Sequence, residues 1–154
     1  MPQTNSNIRL VDVYPYRIED GLPQFLLLHR APAVIYAGQW RMVGGKVHEH
    51  ETSYEAAVRE FREETSLGVA KAWVIPSVNT FYDPKADQIR YIPTFAIECE
   101  PGPVGLNHEH DDFGWFTVEN ATEMLGWHEQ KRILGIVHDI ITSNSVLTEW
   151  LLPV

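Results

Sequence analysis

The stretch from Gly44 to Leu67, GGKVHEHETSYEAAVREFREETSL, decides how the chain is read. Thr52-Ser53-Tyr54-Glu55 has the form of a capping box, in which the Thr52 hydroxyl accepts from a backbone N–H and Glu55 reaches back to the cap. A helix is therefore expected from Thr52 to about Leu67. Tyr54, Val58, Phe61 and Thr65 fall on one face at helical spacing and read as core. Glu60, Glu63 and Glu64, spaced i, i+3, i+4, gather on a different side. Glu51 and Glu55 add to the charge, with Arg59 and Arg62 as nearby counter-charges. Like charges at this spacing cost roughly a few tenths of a kcal/mol per pair unless something compensates. Arg59 cannot neutralise three carboxylates. A hard divalent cation can, because Mg²⁺ takes oxygen ligands and tolerates carboxylates beside waters and substrate phosphates. The competing reading is a solvated acidic face.

The bulk properties narrow the partners. A chain of 154 residues is expected to make one domain with a real core. A formal net charge of −9 argues against a nucleic-acid duplex or an anionic membrane. An acidic protein can still act on phosphates if cations screen them. A single cysteine, Cys99, excludes an internal disulfide framework and suits a reducing compartment. The N-terminus, MPQTNSNIRL, lacks the apolar core of a signal peptide, and the apolar runs are too short to span a bilayer. A cytoplasmic enzyme or binding domain is the expectation.

Outward from the central helix, Ile8 to Ile18 reads as a strand, with Pro15 suggesting an edge or bulge. Leu22 to Arg30 reads as a buried strand, Ala31 to Gly38 as a loop and Trp40 to Val43 as a short strand. Val69 to Tyr82 and Gln88 to Glu100, rich in β-branched and aromatic residues, read as two more strands joined through Asp83-Pro84. Phe113 to Val118 is a short strand, and Glu119 to Leu125 and Trp127 to Thr142 are helical. Strands on both sides of a helix, with helices at the end, predict a mixed sheet covered on both faces.

The run Gly45, five residues, Glu51, seven residues, Arg59-Glu60-Phe61-Arg62-Glu63-Glu64-Thr65-Ser66-Leu67 resembles the signature of the Nudix hydrolases. That signature is G-x5-E-x7-R-E-U-x-E-E-x-G-U, with U a bulky apolar residue. Ser66 stands where the family has glycine, and Val43, in the approach QWRMVGG, replaces a common proline. The resemblance implies an α/β/α sandwich and hydrolysis of a diphosphate linkage in a nucleoside diphosphate joined to another group. Carried over, Glu60, Glu63 and Glu64 would bind Mg²⁺ (Mn²⁺ substituting), with the Gly45 carbonyl as a further ligand. Glu51 and Arg59 would form a structural ion pair. Ser66 either ends the helix at positive φ, at a cost of roughly a kcal/mol, or the helix runs on and Gly68 takes the cap.

The sequence HEH occurs at His48–His50 and at His108–His110. A zinc site is one reading, and two polar loops the favoured one. Glu109 is similar to the late acidic loop of several Nudix hydrolases, the dihydroneopterin triphosphate pyrophosphatase group among them. There a glutamate completes the metal site or activates water. Asp111 and Asp112 match less well, and whether Glu109 or Glu60 is the general base stays open. GGKV is not a P-loop, because Trp40 and Val47 occupy positions that motif needs for glycine and Ser/Thr. Arg30 either touches phosphate or is a solvated strand end. Phe81, Tyr82 and Tyr36 either stack on a base or, more commonly for such residues, pack.

The resulting expectation is a Mg²⁺-dependent pyrophosphohydrolase that splits a nucleoside or pteridine triphosphate into monophosphate and pyrophosphate. A nucleotide-sugar hydrolase is the alternative, because HDDFGWFT is similar to the GDP-mannose hydrolases. A non-catalytic nucleotide-sensing module ranks below both, since all three helix carboxylates are present. The expected partner is a nucleotide-like small molecule, and a homodimer is allowed for.

Overall fold

The computed structural model describes residues 8–154; Met1 to Asn7, the start of the stretch tested above for a leader, lie outside the described residues. Among the described residues, seven strands form one mixed sheet. In chain order they are β1 (Leu10–Glu19), β2 (Leu22–Arg30), β3 (Trp40–Arg41), β4 (Val43–Lys46), β5 (Val69–Asp83), β6 (Gln88–Cys99) and β7 (His110–Phe116). Helix α1 (Ser53–Thr65) follows β4, and α2 (Val118–Met124) and α3 (His128–Thr142) follow β7. The path runs β3-β2-β1-β6-β5, with β4 paired to β1 and β7 to β2.

The central strands β1 and β2 are buried on both sides, so their residues divide between two cores by simple alternation. Val11, Val13, Leu26, Leu28 and Val43 pack with Ala56, Ala57 and Phe61 of α1. Their neighbours Tyr14, Tyr16, Phe25, Leu27 and Met42 face the other way, against Ala121 of α2 and Ile133, Leu134 and Val137 of α3. This is the expected sandwich of helices about a mixed sheet. Asp12 shares its strand face with Tyr14 and Tyr16, the face that α3 covers, and that sets up the cavity described below.

Pro15 does not mark an edge. β1 is interior, parallel to β6 on one side. On the other side it pairs with β4 from Leu10 to Val13 and with β2 from Tyr16 to Glu19. Pro15 falls in the gap between those two partners, where a missing N–H costs no ladder bond. β7 begins three residues earlier than its apolar pattern suggested. Its register against β2 carries a bulge between His29 and Arg30, and His110 pairs with Arg30. The carbonyl of Glu109 accepts from the Ala31 N–H at 2.9 Å. A polar segment, His108 to Asp112, is thereby fixed to the end of β2.

Helix α1 starts as its capping box dictates: Thr52 accepts from the Glu55 N–H, and Glu55 accepts from Thr52. It ends at Ser66, which takes φ 62° and ψ 13°, the left-handed conformation that favours glycine. Gly68 is not the cap. The Ser66 hydroxyl donates to the Gly105 carbonyl at 2.9 Å, an interaction glycine could not make. That bond offsets part of the strain. Substitutions at Ser66 separate the two effects. Ser66→Ala keeps the strain and loses the bond; Ser66→Gly loses both. We expect Ser66→Gly to be more stable than Ser66→Ala by about 1 kcal/mol. Urea unfolding of the two variants measures this difference, and equal midpoints would refute it.

Candidate active site

Arg59 organises the segment between β4 and α1. Its Nε and Nη2 hold both oxygens of Glu51, at 2.7 and 3.0 Å. Nη2 also donates to the Lys46 carbonyl at 2.9 Å, and Nη1 to Glu60 at 2.9 Å and Glu63 at 3.3 Å. The expected Glu51–Arg59 pair is thus one part of a larger knot that ties strand end, loop and helix together. The hydrogen bonds from Arg59, more than its charge, lower the Glu51 carboxyl from the usual range. Gly45 fits closely over α1: a Cβ built there would run into the Glu60 carboxylate.

Glu64 is what Arg59 does not reach. It is 1% exposed, and its Oε2 has no hydrogen-bond partner. Burial, reinforced by the carboxylates of Glu60 and Glu109, pushes it up to about 9. Burial also lifts Glu60, against the pull of Arg59. His110, 5% exposed, places Nε2 3.6 Å from Glu64 Oε1, and its Nδ1 is also without a partner. Burial and the nearby Arg30 push the imidazole down to about 4, so it is neutral at physiological pH.

One ligand atom each from Glu64, Glu109 and His110 lies within 4.8 Å of the others. Two carboxylates and a neutral imidazole, with Glu64 Oε2 and His110 Nδ1 left unpartnered, make a donor set that fits a divalent cation. Glu60 borders the same cavity, while Glu63 is 53% exposed and turned toward Arg59.

The cavity has a volume of about 460 Å³. Glu60, Glu64, Glu109, His110 and Gly45 line one part of it, with Arg30 beside them. Arg30 is no solvated strand end: Nη1 lies 3.7 Å from Glu109 and Nε donates to the Ile35 carbonyl at 3.1 Å. Tyr36 and Phe81 line another part together with Trp127, which each meets at ring-centroid distances of 5.9 and 6.3 Å. Tyr82 is elsewhere, exposed and donating its hydroxyl to Asp87. Asp111 pairs with His29, and Asp112 accepts from the Phe113 N–H; neither lines the cavity. Of the two HEH runs, His48 borders the cavity, but the three-residue cluster draws on Glu109 and His110 with Glu64, not on both runs.

Sequence reasoning passed over Asp12, Arg41, Asn79, Trp127 and Gln130, all of which line the cavity. Asn79 Nδ2 donates to Asp12 Oδ2 at 3.0 Å. Burial raises the Asp12 carboxyl, opposed by Asn79, Arg41 and Gln130. Gln130 falls three residues before Ile133, on the apolar stripe of α3. A polar residue on a buried stripe is a signal the sequence does carry.

The α/β sandwich thus buries a carboxylate cluster beside a cavity of about 460 Å³. The family profile described as NUDIX domain matches residues 8–134. The chain belongs to the Nudix family. It is 32% identical over 99 residues to the nucleoside triphosphatase NudI of Enterobacter sp. (strain 638), covering 58% of this chain and 70% of that protein. Over 121 residues it is 27% identical to the asymmetrical bis(5'-nucleosyl)-tetraphosphatase of Caenorhabditis elegans, covering 77% and 86%. A crystal structure of a protein from Listeria monocytogenes, described as a NUDIX hydrolase, superposes with a TM-score of 0.74 at 26% identity, covering 88% of this chain and 95% of that one.

The opposed shifts of Glu64 and His110 give the metal-free protein a defined pH response. A carboxyl raised from 4.5 to about 9 contributes stability that is lost as pH rises between those values. An imidazole lowered from 6.5 to about 4 contributes stability that is lost as pH falls between those values. The two slopes oppose each other below pH 6.5, and Glu64 acts alone above it. In chelator the wild type should lose stability from pH 6.5 to 9, by up to about 1.4 kcal/mol per pH unit. Glu64→Gln should flatten that limb. Urea unfolding at several pH values reads both, and parallel curves would remove Glu64 as the cause.

Proposed function

We propose that residues 1–154 form a single-domain, cytoplasmic, Mg²⁺-dependent pyrophosphohydrolase that converts a nucleoside or pteridine triphosphate to monophosphate and pyrophosphate. One observation carries this reading: a single cavity joins the Glu60–Glu64–Glu109 carboxylates to an aromatic wall of Tyr36, Phe81 and Trp127. One part suits a cation-bridged phosphate chain, the other a planar base. Among the described residues no helix is long and apolar enough to cross a membrane.

The proposed ligands are Glu60, Glu64 and Glu109, the Gly45 carbonyl, and Glu63 once its carboxylate turns in from Arg59. Bound there, Mg²⁺ or Mn²⁺ would neutralise phosphate charge and acidify a water. Arg30 contacts the phosphate chain from the β2 end. Glu109 borders the cavity and is not tied to Arg59 as Glu60 is, so we assign it the water proton. The water oxygen bonds to phosphorus, the bridging P–O bond breaks, and pyrophosphate leaves. Buried His110, neutral, holds its side of the cluster without adding charge.

A second reading has an observation of its own. A further cleft of about 850 Å³ shares Tyr36, Lys46, Phe81 and Trp127 with the first cavity and adds Lys85, Arg90, Tyr82 and Tyr91. Basic and aromatic residues in one groove suit the second nucleoside of a dinucleoside polyphosphate. The nucleotide-sugar alternative leans on the run HDDFGWFT, of which only His110 lines the cavity.

Hydrolysis of a panel of triphosphates, dinucleoside polyphosphates and nucleotide sugars, with products separated by chromatography, discriminates these readings. Excess chelator should abolish turnover. Glu64→Gln and Glu109→Gln should each lower kcat by about two orders of magnitude or more, with Asp111→Asn and Asp112→Asn far milder. Glu64→Gln should also lose most of the thermal stabilisation that the wild type gains from millimolar Mg²⁺, since that gain is binding energy to the folded state. Unchanged turnover in chelator would overturn the proposal, and so would a Mg²⁺-induced shift as large in Glu64→Gln as in the wild type.

A further inference from the structure

Beyond the aromatic wall, the cavity is lined by polar side chains with no role in phosphate chemistry. Asp12 comes from β1, Arg41 from β3, Asn79 from β5 and Gln130 from α3. Asp12 is 7% exposed and Gln130 2% exposed. Three features fix what they offer a ligand. Asn79 anchors one Asp12 oxygen at 3.0 Å, and the Gln130 side chain also bears on this carboxyl, so the group is held in place. Gln130 Oε1 is buried with no partner. Arg41 lines the cavity with its guanidinium carbon 4.6 Å from the Tyr36 ring centroid and 5.7 Å from that of Trp127, so the two rings hold the cation beside the space.

The floor therefore presents two acceptors, Asp12 and Gln130, and one cationic donor, Arg41. Its complement is a ring edge with two adjacent donors and one acceptor. We propose that Asp12, Gln130 and Arg41 select the amino-lactam edge shared by guanine and pterins, a ring N–H flanked by an exocyclic amine and a carbonyl. The N–H and amine donate to Asp12 and Gln130, and the carbonyl accepts from Arg41. An adenine edge sets a ring-nitrogen lone pair against the carboxylate and leaves buried acceptors unpaired, the condition under which polar sites discriminate most strongly. The proposal rests on the reading that this cavity takes the base of a triphosphate.

The test is a binding experiment, so that it stands apart from turnover. Quenching of intrinsic tryptophan fluorescence, with Trp127 in the cavity wall, is followed on titration with guanosine, inosine and adenosine monophosphates and with free pterin. Inosine keeps the lactam and lacks the amine. The guanosine nucleotide or pterin should bind at least ~10-fold more tightly than the inosine and adenosine nucleotides. Whichever of the two binds more tightly identifies the source of the edge. Asp12→Asn should erase the preference over adenosine, and Gln130→Met, which leaves Asp12 in place, should erase the preference over inosine. Adenosine monophosphate binding as tightly as guanosine monophosphate would overturn the proposal, as would a preference that survives both substitutions. If no triphosphate is hydrolysed but the preference is present, the base selection stands and the proposed reaction falls.

Discussion

The site depends on how one guanidinium is divided. Arg59 meets Glu51, Glu60, Glu63 and the Lys46 carbonyl, and a single positive charge serves them all. Its five N–H donors in a rigid fork make this possible; a lysine ammonium could not reach the same set in a plane. The consequence for geometry is that β4, the loop after it and α1 move as one piece. The consequence for charge is that Glu64, one turn further along and facing inward, receives nothing. Its environment is apolar core on one side and two further carboxylates on the other, which is why its proton is held so firmly. The cluster is unbalanced by construction, and the imbalance lies where the cavity opens.

The sheet turns this local feature into a cavity with two characters. Because the central strands are buried on both faces, each residue step along β1 changes which helix it meets. Val11 and Val13 look toward α1, while Tyr14 and Tyr16 look toward α3. Asp12 belongs to the second set and is the residue at which β1 enters the cavity. β5 reaches the same place only because its register against β6 shifts between Val74 and Val78, after which Asn79 can meet Asp12. The hydrogen bond at 3.0 Å between them therefore reports on sheet geometry as much as on local chemistry.

What could be read from the sequence was what is local. The capping box, the i, i+3, i+4 carboxylates and the Phe61 stripe all lie within one helix, so spacing alone placed them. Ser66 was legible as a problem, and its resolution was not. The bond from its hydroxyl to Gly105 spans 39 positions, and no periodicity carries such a contact. Pro15 misled for the same reason, since the gap that admits it is made by two partner strands far apart in the chain. His110 read as one of three polar loop residues. Only the pairing of β7 with β2 shows it buried against Glu64. Trp127 and Gln130 sit at the start of a helix whose apolar stripe was recognised, and the stripe continues into the cavity floor.

Charge connects the two parts of the cavity. Its lining sets the carboxylates of Asp12, Glu60, Glu64 and Glu109 against the cations Arg30, Arg41 and Lys46, in a chain of net charge −9. With Glu64 protonated, the three remaining carboxylates match the three cations in number, so the metal-free cavity offers a polyphosphate no surplus of positive charge. Glu64 can keep its proton, but a protonated carboxyl cannot act as an anionic ligand. If the proposed cation binds, it must expel that proton, and its charge then favours the proposed anionic substrate. On the proposed reading, each of the two ligands therefore strengthens the other by the same factor, as linkage requires. On that reading the protonated Glu64 of the metal-free site supplies no anionic ligand until a cation displaces its proton, and the cation becomes part of substrate recognition as well as of the chemical step.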